Sequence, residues 1–306
     1  MMTPAVRCLK LQKKVEIHFL TKRVFTDILS ANPYIDKIIA FDKEEKGFIK
    51  KLKAEDYDFV VDLHNNIRSG KIRRKLKKPS SKLYKLSIHK QVVIHTGISN
   101  LPNLHVAHRA IDALHSFDVV DDEKGMDFFI DKNTKNPFKD EGKPFVTLAL
   151  ATTHFTKNIP DTTLKFIIEN APHNVVLLGG PKEKALGESL QKEYEGRCVN
   201  MAGQTNLQQS ALLISKSKFF IGGDTGMLHI ACALKIPTLS IWGATIPEFG
   251  VYPYYGSEEV PHHIHEVTLN CRPCSKHGSS KCPKKHFNCM YLQDLNKIAL
   301  HMKDLA

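Results

Sequence analysis

The stretch Gly222-Gly223-Asp224-Thr225-Gly226-Met227-Leu228-His229 sits between two apolar runs. Its residue types suit a strand that stops at two glycines and a helix that starts at once. Glycine permits backbone shapes closed to other residues, and either Asp224 or Thr225 can cap the following helix with a side-chain oxygen. The first N–H groups of that helix, around Thr225, Gly226 and Met227, have no intrahelical acceptor. The helix dipole adds positive potential at the same place. Together they make a site for an anion such as a diphosphate. His229 falls one turn further on and can face the same ligand, although a plain cap with a hydrogen-bonded histidine has the same spacing.

Two other strand ends carry similar chemistry. In "ALATTHFTKNIP", residues 149–160, Thr152 and Thr153 follow an apolar run, and Lys157 precedes an Ile-Pro helix start. Two hydroxyls and an ammonium there can bind phosphate oxygens through charge-assisted hydrogen bonds. In "LLGGPKE" a strand stops at Gly179-Gly180 and Glu183 opens a helix. That carboxylate either favours the helix dipole or binds ribose hydroxyls.

The elements that must position these residues follow from periodicity. Residues 14–20, 35–41 and 58–64 read as buried strands, with helical spacing at 23–32 and 47–56 between them. An amphipathic helix is expected over 103–117, and then a polar stretch with Gly and Pro, 131–144, reads as a linker. A second series of strands runs through 144–151, 174–180, 197–203, 218–223 and 237–243, with helices over 181–194 and 206–217. Such alternation predicts parallel sheets covered on both faces, built twice. Doubly wound sheets bind ligands beyond the carboxyl ends of their strands, and two facing domains would form a cleft there. The expected domains are 1–140, and 141–306 with a cysteine-rich tail and a C-terminal helix.

The 306-residue chain is 42% hydrophobic and 25% charged, values of an ordinary globular protein. It shows no signal-peptide-like apolar core and no apolar run long enough to span a bilayer, which places it in the cytoplasm. The formal charge of +12 is uneven. Arg68 to Lys90 holds ten Lys or Arg residues and no acid, a pattern that suits either an anionic partner or a solvated helix face. No aromatic-rich RNA-binding strand accompanies it, so nucleic acid is not expected as a partner.

"ATTHFTKNIP", "VVLLGGPKE", "NMAGQTNL" and "GGDTGMLHIACALKIPTLSIWGATIPE" stand in the order and spacing of the bacterial heptosyltransferases. The chain resembles this family, glycosyltransferase family 9, closely over about 145–255 and more diffusely over 3–115. The family is typified by the ADP-heptose transferases of lipopolysaccharide inner-core synthesis. The resemblance implies a GT-B fold, two Rossmann-like doubly wound domains facing a cleft, with donor bound by the C-terminal domain and acceptor by the N-terminal one. It implies inverting transfer of heptose from ADP-heptose to an inner-core acceptor, with no metal or other cofactor required. Alternatives are another nucleotide sugar, or a donor-binding protein without turnover.

By position, the resemblance implies that Thr152, Thr153 and Lys157 hold donor phosphates and that Asp224 contacts the donor sugar. The Thr225, Gly226 and Met227 amides would stabilise the diphosphate, Glu183 would reach the ribose, and His229 would support the loop. Lys157 and Asp224 are then the catalytic candidates. The family opens with a strand and a Gly-Asp loop that carries the base, and "MMTPAVRCLK" matches the helix after that loop. The expectation is therefore an N-terminal domain lacking its first strand. Asp62, at the end of "VVDLHNN" beside His64, is a weak substitute base or an ordinary strand-end cap. Arg68, Lys71, Arg73 and Arg74 are the candidate contacts to an anionic, lipid-linked saccharide acceptor. They would hold the protein peripherally at the cytoplasmic face of the inner membrane.

Cys271, Cys274, Cys282 and Cys289 are spaced so that a structural zinc is possible, with His277 or His286 as alternate ligands. Free thiols or a redox-sensitive pair fit the same residues. Nothing in the sequence links them to the donor loop. His105, His108 and His115 read as surface histidines on a helix, and Trp242 is expected beneath the donor loop.

Overall fold

The computed structural model describes residues 1–42, 47–138, 142–150 and 152–306. Residues 139–141 of the expected linker, and residue 151 at the end of an expected strand, lie outside them. The chain divides into two units. The first comprises residues 1–87 and 104–129, the second 88–103 and 130–306. The division falls at 129/130 rather than 140, and residues 88–103 join the second unit. A reason for the latter is Lys90, whose ammonium donates to the Phe249 carbonyl at 2.6 Å and lies over the Phe249 ring.

The first unit runs α1 Thr3–Gln12, β1 His18–Lys22, α2 Thr26–Leu29, β2 Lys37–Phe41, α3 Phe48–Ala54, β3 Val60–Asp62, α4 Ile67–Leu76 and β4 Ser80–Lys82. Helix α5, Ser87–Thr96, crosses into the second unit, and α6, Val106–Asp112, returns to the first. Strands β1 and β2 pair in parallel, as do β3 and β4, but the two ladders remain separate two-stranded sheets. Phe48 and Leu52 of α3 pack with Ile72 and Leu76 of α4, and Leu20, Ile39 and Val60 of the strands lie against them. Arg7 of α1 is buried and chelated by Asp122 at 2.7 and 2.8 Å, with Asp127 as a second partner. The guanidinium holds the Asp122 carboxyl down at about 2.

The second unit carries β5 Phe145–Ala149, α7 Asp161–Asn170, β6 Asn174–Leu178, α8 Lys184–Glu193, β7 Cys198–Asn200, α9 Leu207–Lys216, β8 Phe220–Gly223, α10 Gly226–Ala233, β9 Thr238–Trp242 and β10 His262–Glu266. Helices α11 Asn288–Tyr291 and α12 Leu295–Asp304 complete it. All six strands are parallel, in the order β10-β9-β8-β5-β6-β7. Strands β5 and β9 are buried throughout, which explains their unbroken apolar runs. Val146, Leu148, Ile167, Leu177, Ile221 and Ile241 belong to one core. Trp242 is fully buried, its indole N–H donating to Ser240 Oγ at 2.9 Å.

Strand order reverses between β5 and β8. In a doubly wound sheet the loops leaving the carboxyl ends of that pair diverge to opposite faces and open a ligand crevice. The loops in question hold residues 152–160 and 224–225, the two richest in the residues singled out above.

Candidate functional site

Helix α10 begins where the residue types require. Thr225, not Asp224, is the cap: its extended backbone ends the loop, and its hydroxyl accepts from the Leu228 N–H at 3.2 Å. This frees Asp224 to turn toward the neighbouring loop. There its Oδ2 lies 2.8 Å from Lys157 Nζ and accepts from the Thr245 hydroxyl at 3.0 Å. Both charged side chains are largely buried, at 13% and 12% exposed, so solvent screens the pair weakly. The ammonium is thus held beside the start of α10, and the two positive features share one end of the sheet.

The Lys157 loop is shaped by its own polar groups. Asn158 Oδ1 accepts from the Thr152 N–H at 2.8 Å and from its hydroxyl at 3.1 Å, and that hydroxyl also donates to the His154 carbonyl. Thr152 therefore builds the loop, while Thr153 is exposed beside it. The 3₁₀ turn Phe155–Lys157 then crosses the ends of β8 and β9. It comes so close that a Cβ on Gly223 would stand 2.8 Å from the Lys157 carbonyl oxygen, and one on Gly243 2.7 Å from that of Thr156. Here the absence of a side chain lets the two backbones approach.

His229 lies on α10 and is partly exposed, though its Nδ1 is buried. Burial pushes its imidazole down to about 4, so it is neutral at pH 7. Glu183 leads into α8 beyond β6, where its Oε2 accepts from the Gly180 N–H at 2.8 Å. One of its oxygens is thereby committed to the helix start.

The cysteine run corrects the sequence reading, for it does reach this site. Thr156 and Ser279 exchange backbone and hydroxyl hydrogen bonds of 2.8–3.2 Å, and Gly278 lies against His154 and Lys157. Arg272 donates to the Gly243 and Thr245 carbonyls, and the Cys274 N–H to that of Ala244. Thr156, Asn158, Thr245 and Arg272 are site-building residues that the sequence does not single out. Their only signal is position, beside Lys157, in the loop after β9, and between two cysteines.

The first unit holds the remaining candidates. Asp62 is buried, and its Oδ1 accepts from the His64 and Asn65 N–H groups while Oδ2 lies 3.7 Å from Arg73 Nε. Those two hydrogen bonds are the geometry of a strand-end turn cap. Arg68, Lys71 and Arg74 are exposed on α4, whereas Arg73 is drawn toward Asp62 and Ser80. His105 is fully buried, and its Nδ1 caps α6 by accepting from the Ala107 N–H at 3.1 Å, contrary to a surface placement.

Among known proteins, the sequence model of glycosyltransferase family 9 (heptosyltransferase) matches residues 46–285. Lipopolysaccharide heptosyltransferase 2 of Salmonella typhimurium is 34% identical over 84 residues, a stretch spanning 26% of this chain and 24% of that protein. Lipopolysaccharide heptosyltransferase 1 of Campylobacter coli is 25% identical over 265 residues, 77% of each chain. The solved structure of E. coli ADP-heptose lps heptosyltransferase II superposes with a TM-score of 0.70 at 17% identity, covering 99% of this chain and 94% of that one. E. coli heptosyltransferase WaaC with ADP gives 0.68 at 16% identity, covering 100% and 95%. The fold is that of the solved heptosyltransferases, and the chain belongs to glycosyltransferase family 9.

Proposed function

We propose that the chain is an inverting glycosyltransferase that moves heptose from ADP-heptose to a lipopolysaccharide inner-core acceptor. The observation that carries this reading is the Lys157–Asp224 pair beside the capped start of α10, at the point where strand order reverses. Family membership and the printed names of the relatives supply the sugar and the acceptor.

In the proposed reaction an acceptor hydroxyl oxygen bonds to the anomeric carbon as the bond to the diphosphate oxygen breaks. The acceptor proton passes to a carboxylate base, and the leaving diphosphate gains negative charge. Lys157 and the first N–H groups of α10, at Gly226 and Met227, are assigned to that charge, and in this role they would bind the transition state more strongly than the ground state. Asp224, besides holding Lys157, offers a carboxylate to donor sugar hydroxyls, and Glu183 lies at the next strand end for the ribose. The exposed Arg68, Lys71 and Arg74 of α4 supply positive charge for an anionic lipid-linked acceptor and a peripheral membrane contact. A second reading, donor binding without transfer, is favoured by the commitment of Asp62 to its turn.

The test is ADP release from ADP-heptose in the presence of purified heptose-deficient lipopolysaccharide, with the anomeric configuration of the product read by NMR. Acceptor-dependent release with inversion is expected. Tight ADP binding without release would favour the second reading, and turnover of a UDP-sugar instead would overturn the donor assignment.

A further inference from the structure

Strand β10 is one edge of the six-stranded sheet, and the alternation of a strand turns His263 and His265 to the same face. On that face both meet His301 of α12. The His263 and His301 rings stack with their centroids 3.7 Å apart, and the His265 and His301 centroids lie 4.9 Å apart. Asp304 comes three residues after His301, the spacing of neighbours on a helix surface. The helix is seated by Ile298 and Met302, which enter the core, while His301 is half-buried and Asp304 exposed. Ligand atoms of His263, His301 and Asp304 lie within 4.8 Å of one another.

Two comparisons single this group out. Among the described residues, the other close group of potential ligands is Cys8, Asp121 and Asp122, and there Arg7 already holds the Asp122 carboxylate. Among the same residues, no three of Cys271, Cys274, Cys282 and Cys289 come so close. His301 is also oriented. Its Nδ1 lies 3.0 Å from Nε2 of His265, a residue only 4% exposed, and that contact leaves Nε2 of His301 to coordinate.

We infer that His263, His301 and Asp304 form a site for a divalent transition-metal ion of the zinc class, which ties α12 to the edge strand of the sheet. Two imidazole nitrogens and one carboxylate oxygen are a donor set that zinc accepts, with a fourth position left for water. When His301 coordinates through Nε2, its Nδ1–H donates to His265. That is the outer hydrogen bond that fixes the ring of a metal-bound histidine. The cation would also sit at the last turn of α12, where the helix dipole favours positive charge. Coordination through imidazole lone pairs and a carboxylate involves no redox change. The site does not depend on the donor reading, and either can fail without the other.

The full chain, stripped with EDTA, dialysed and kept reduced, is titrated with zinc by calorimetry and with cobalt by absorption, beside His263→Ala, His301→Ala and Asp304→Asn. Each histidine variant should bind about one ion fewer per chain than the parent. Loss of an outer partner alone weakens metal binding about 10–100-fold, so Asp304→Asn, which removes a ligand, should bind that ion at least about tenfold more weakly. The part of the cobalt spectrum that the variants lose should show ligand-field bands without thiolate-to-cobalt charge transfer. At zinc a hundredfold above the Kd, the Tm of the parent should rise by roughly 5 °C more than that of His301→Ala. Asp304 is exposed, so Asp304→Asn should fold even where a histidine variant does not. Unchanged stoichiometry and affinity in every variant that folds would overturn the site, as would thiolate charge transfer in the lost spectrum. Equal gains in Tm would overturn the tie between α12 and β10.

Discussion

Lys157 Nζ and Asp224 Oδ2 stand 2.8 Å apart, which ties the loop leaving β5 to the loop leaving β8 across the reversal of strand order. The pair is a joint between the two halves of a doubly wound sheet as well as a source of charge. Removing the carboxylate should therefore act in two ways. Asp224→Asn keeps the shape but loses the ion pair, so ADP-heptose binding should weaken more than ADP binding. Isothermal titration of both ligands measures the difference, and equal losses would assign Asp224 to Lys157 alone.

Gly223 and Gly243 offer a test that touches no ligand. Alanine at either position puts a Cβ within 2.8 Å of a carbonyl oxygen of the Phe155–Lys157 turn. Overpacking of this kind costs about 1–3 kcal/mol, and the displaced turn should also raise the Kd for ADP. Gly226→Ala meets nothing within 4 Å, so stability should hold and only affinity should fall. Denaturant melts alongside titrations separate the two effects.

In the first unit, Asp122 is held at about 2 by Arg7, below its unfolded value near 4. A depressed carboxylate contributes stability that is complete above pH 4 and is lost as pH falls from 4 to 2. The contribution is about 2 kcal/mol. Asp122→Asn should lower stability at pH 7 by a similar amount and flatten the acid limb of the stability profile. Urea melts across pH 2–7 check this, and an unchanged acid limb would count against the pairing.

The basic face of α4 predicts a membrane effect. Reversing Arg68, Lys71 and Arg74 together to Glu should weaken binding to anionic vesicles, each lysine or arginine being worth about 1 kcal/mol near such a surface. ADP affinity should not change. Co-sedimentation with phosphatidylglycerol vesicles at two salt concentrations measures it, and equal binding of both proteins would remove α4 from the contact.

How much of this was legible in the sequence depends on how burial is distributed. Strands β5, β6, β8 and β9 are covered on both faces, so their apolar runs announce them. Strand β4, Ser80–Lys82, has no such pattern and exists through its pairing with β3. Strand β10, His262–Glu266, is an edge strand rich in histidine, also set by its neighbour. The Gly-Gly-Asp-Thr-Gly junction was readable because helix capping is local chemistry, and the cap fell on Thr225, one of the two residues able to provide it. The docking of Ser279 on Thr156 was not readable, since the partners lie 123 residues apart and neither is unusual alone. His105 misled because a buried histidine that caps a helix has the same spacing as an exposed one.

The central claim is that Lys157 and the start of α10 form a donor diphosphate site. Its most direct measurement is titration of the purified chain with ADP, UDP and GDP, repeated with Lys157→Ala. A charge-assisted hydrogen bond is worth about 1.5–3 kcal/mol, so selective ADP binding should weaken by roughly ten- to a hundredfold in the variant. A folded Lys157→Ala chain that binds ADP as tightly as the parent, or a parent chain that binds none of the three, would contradict it.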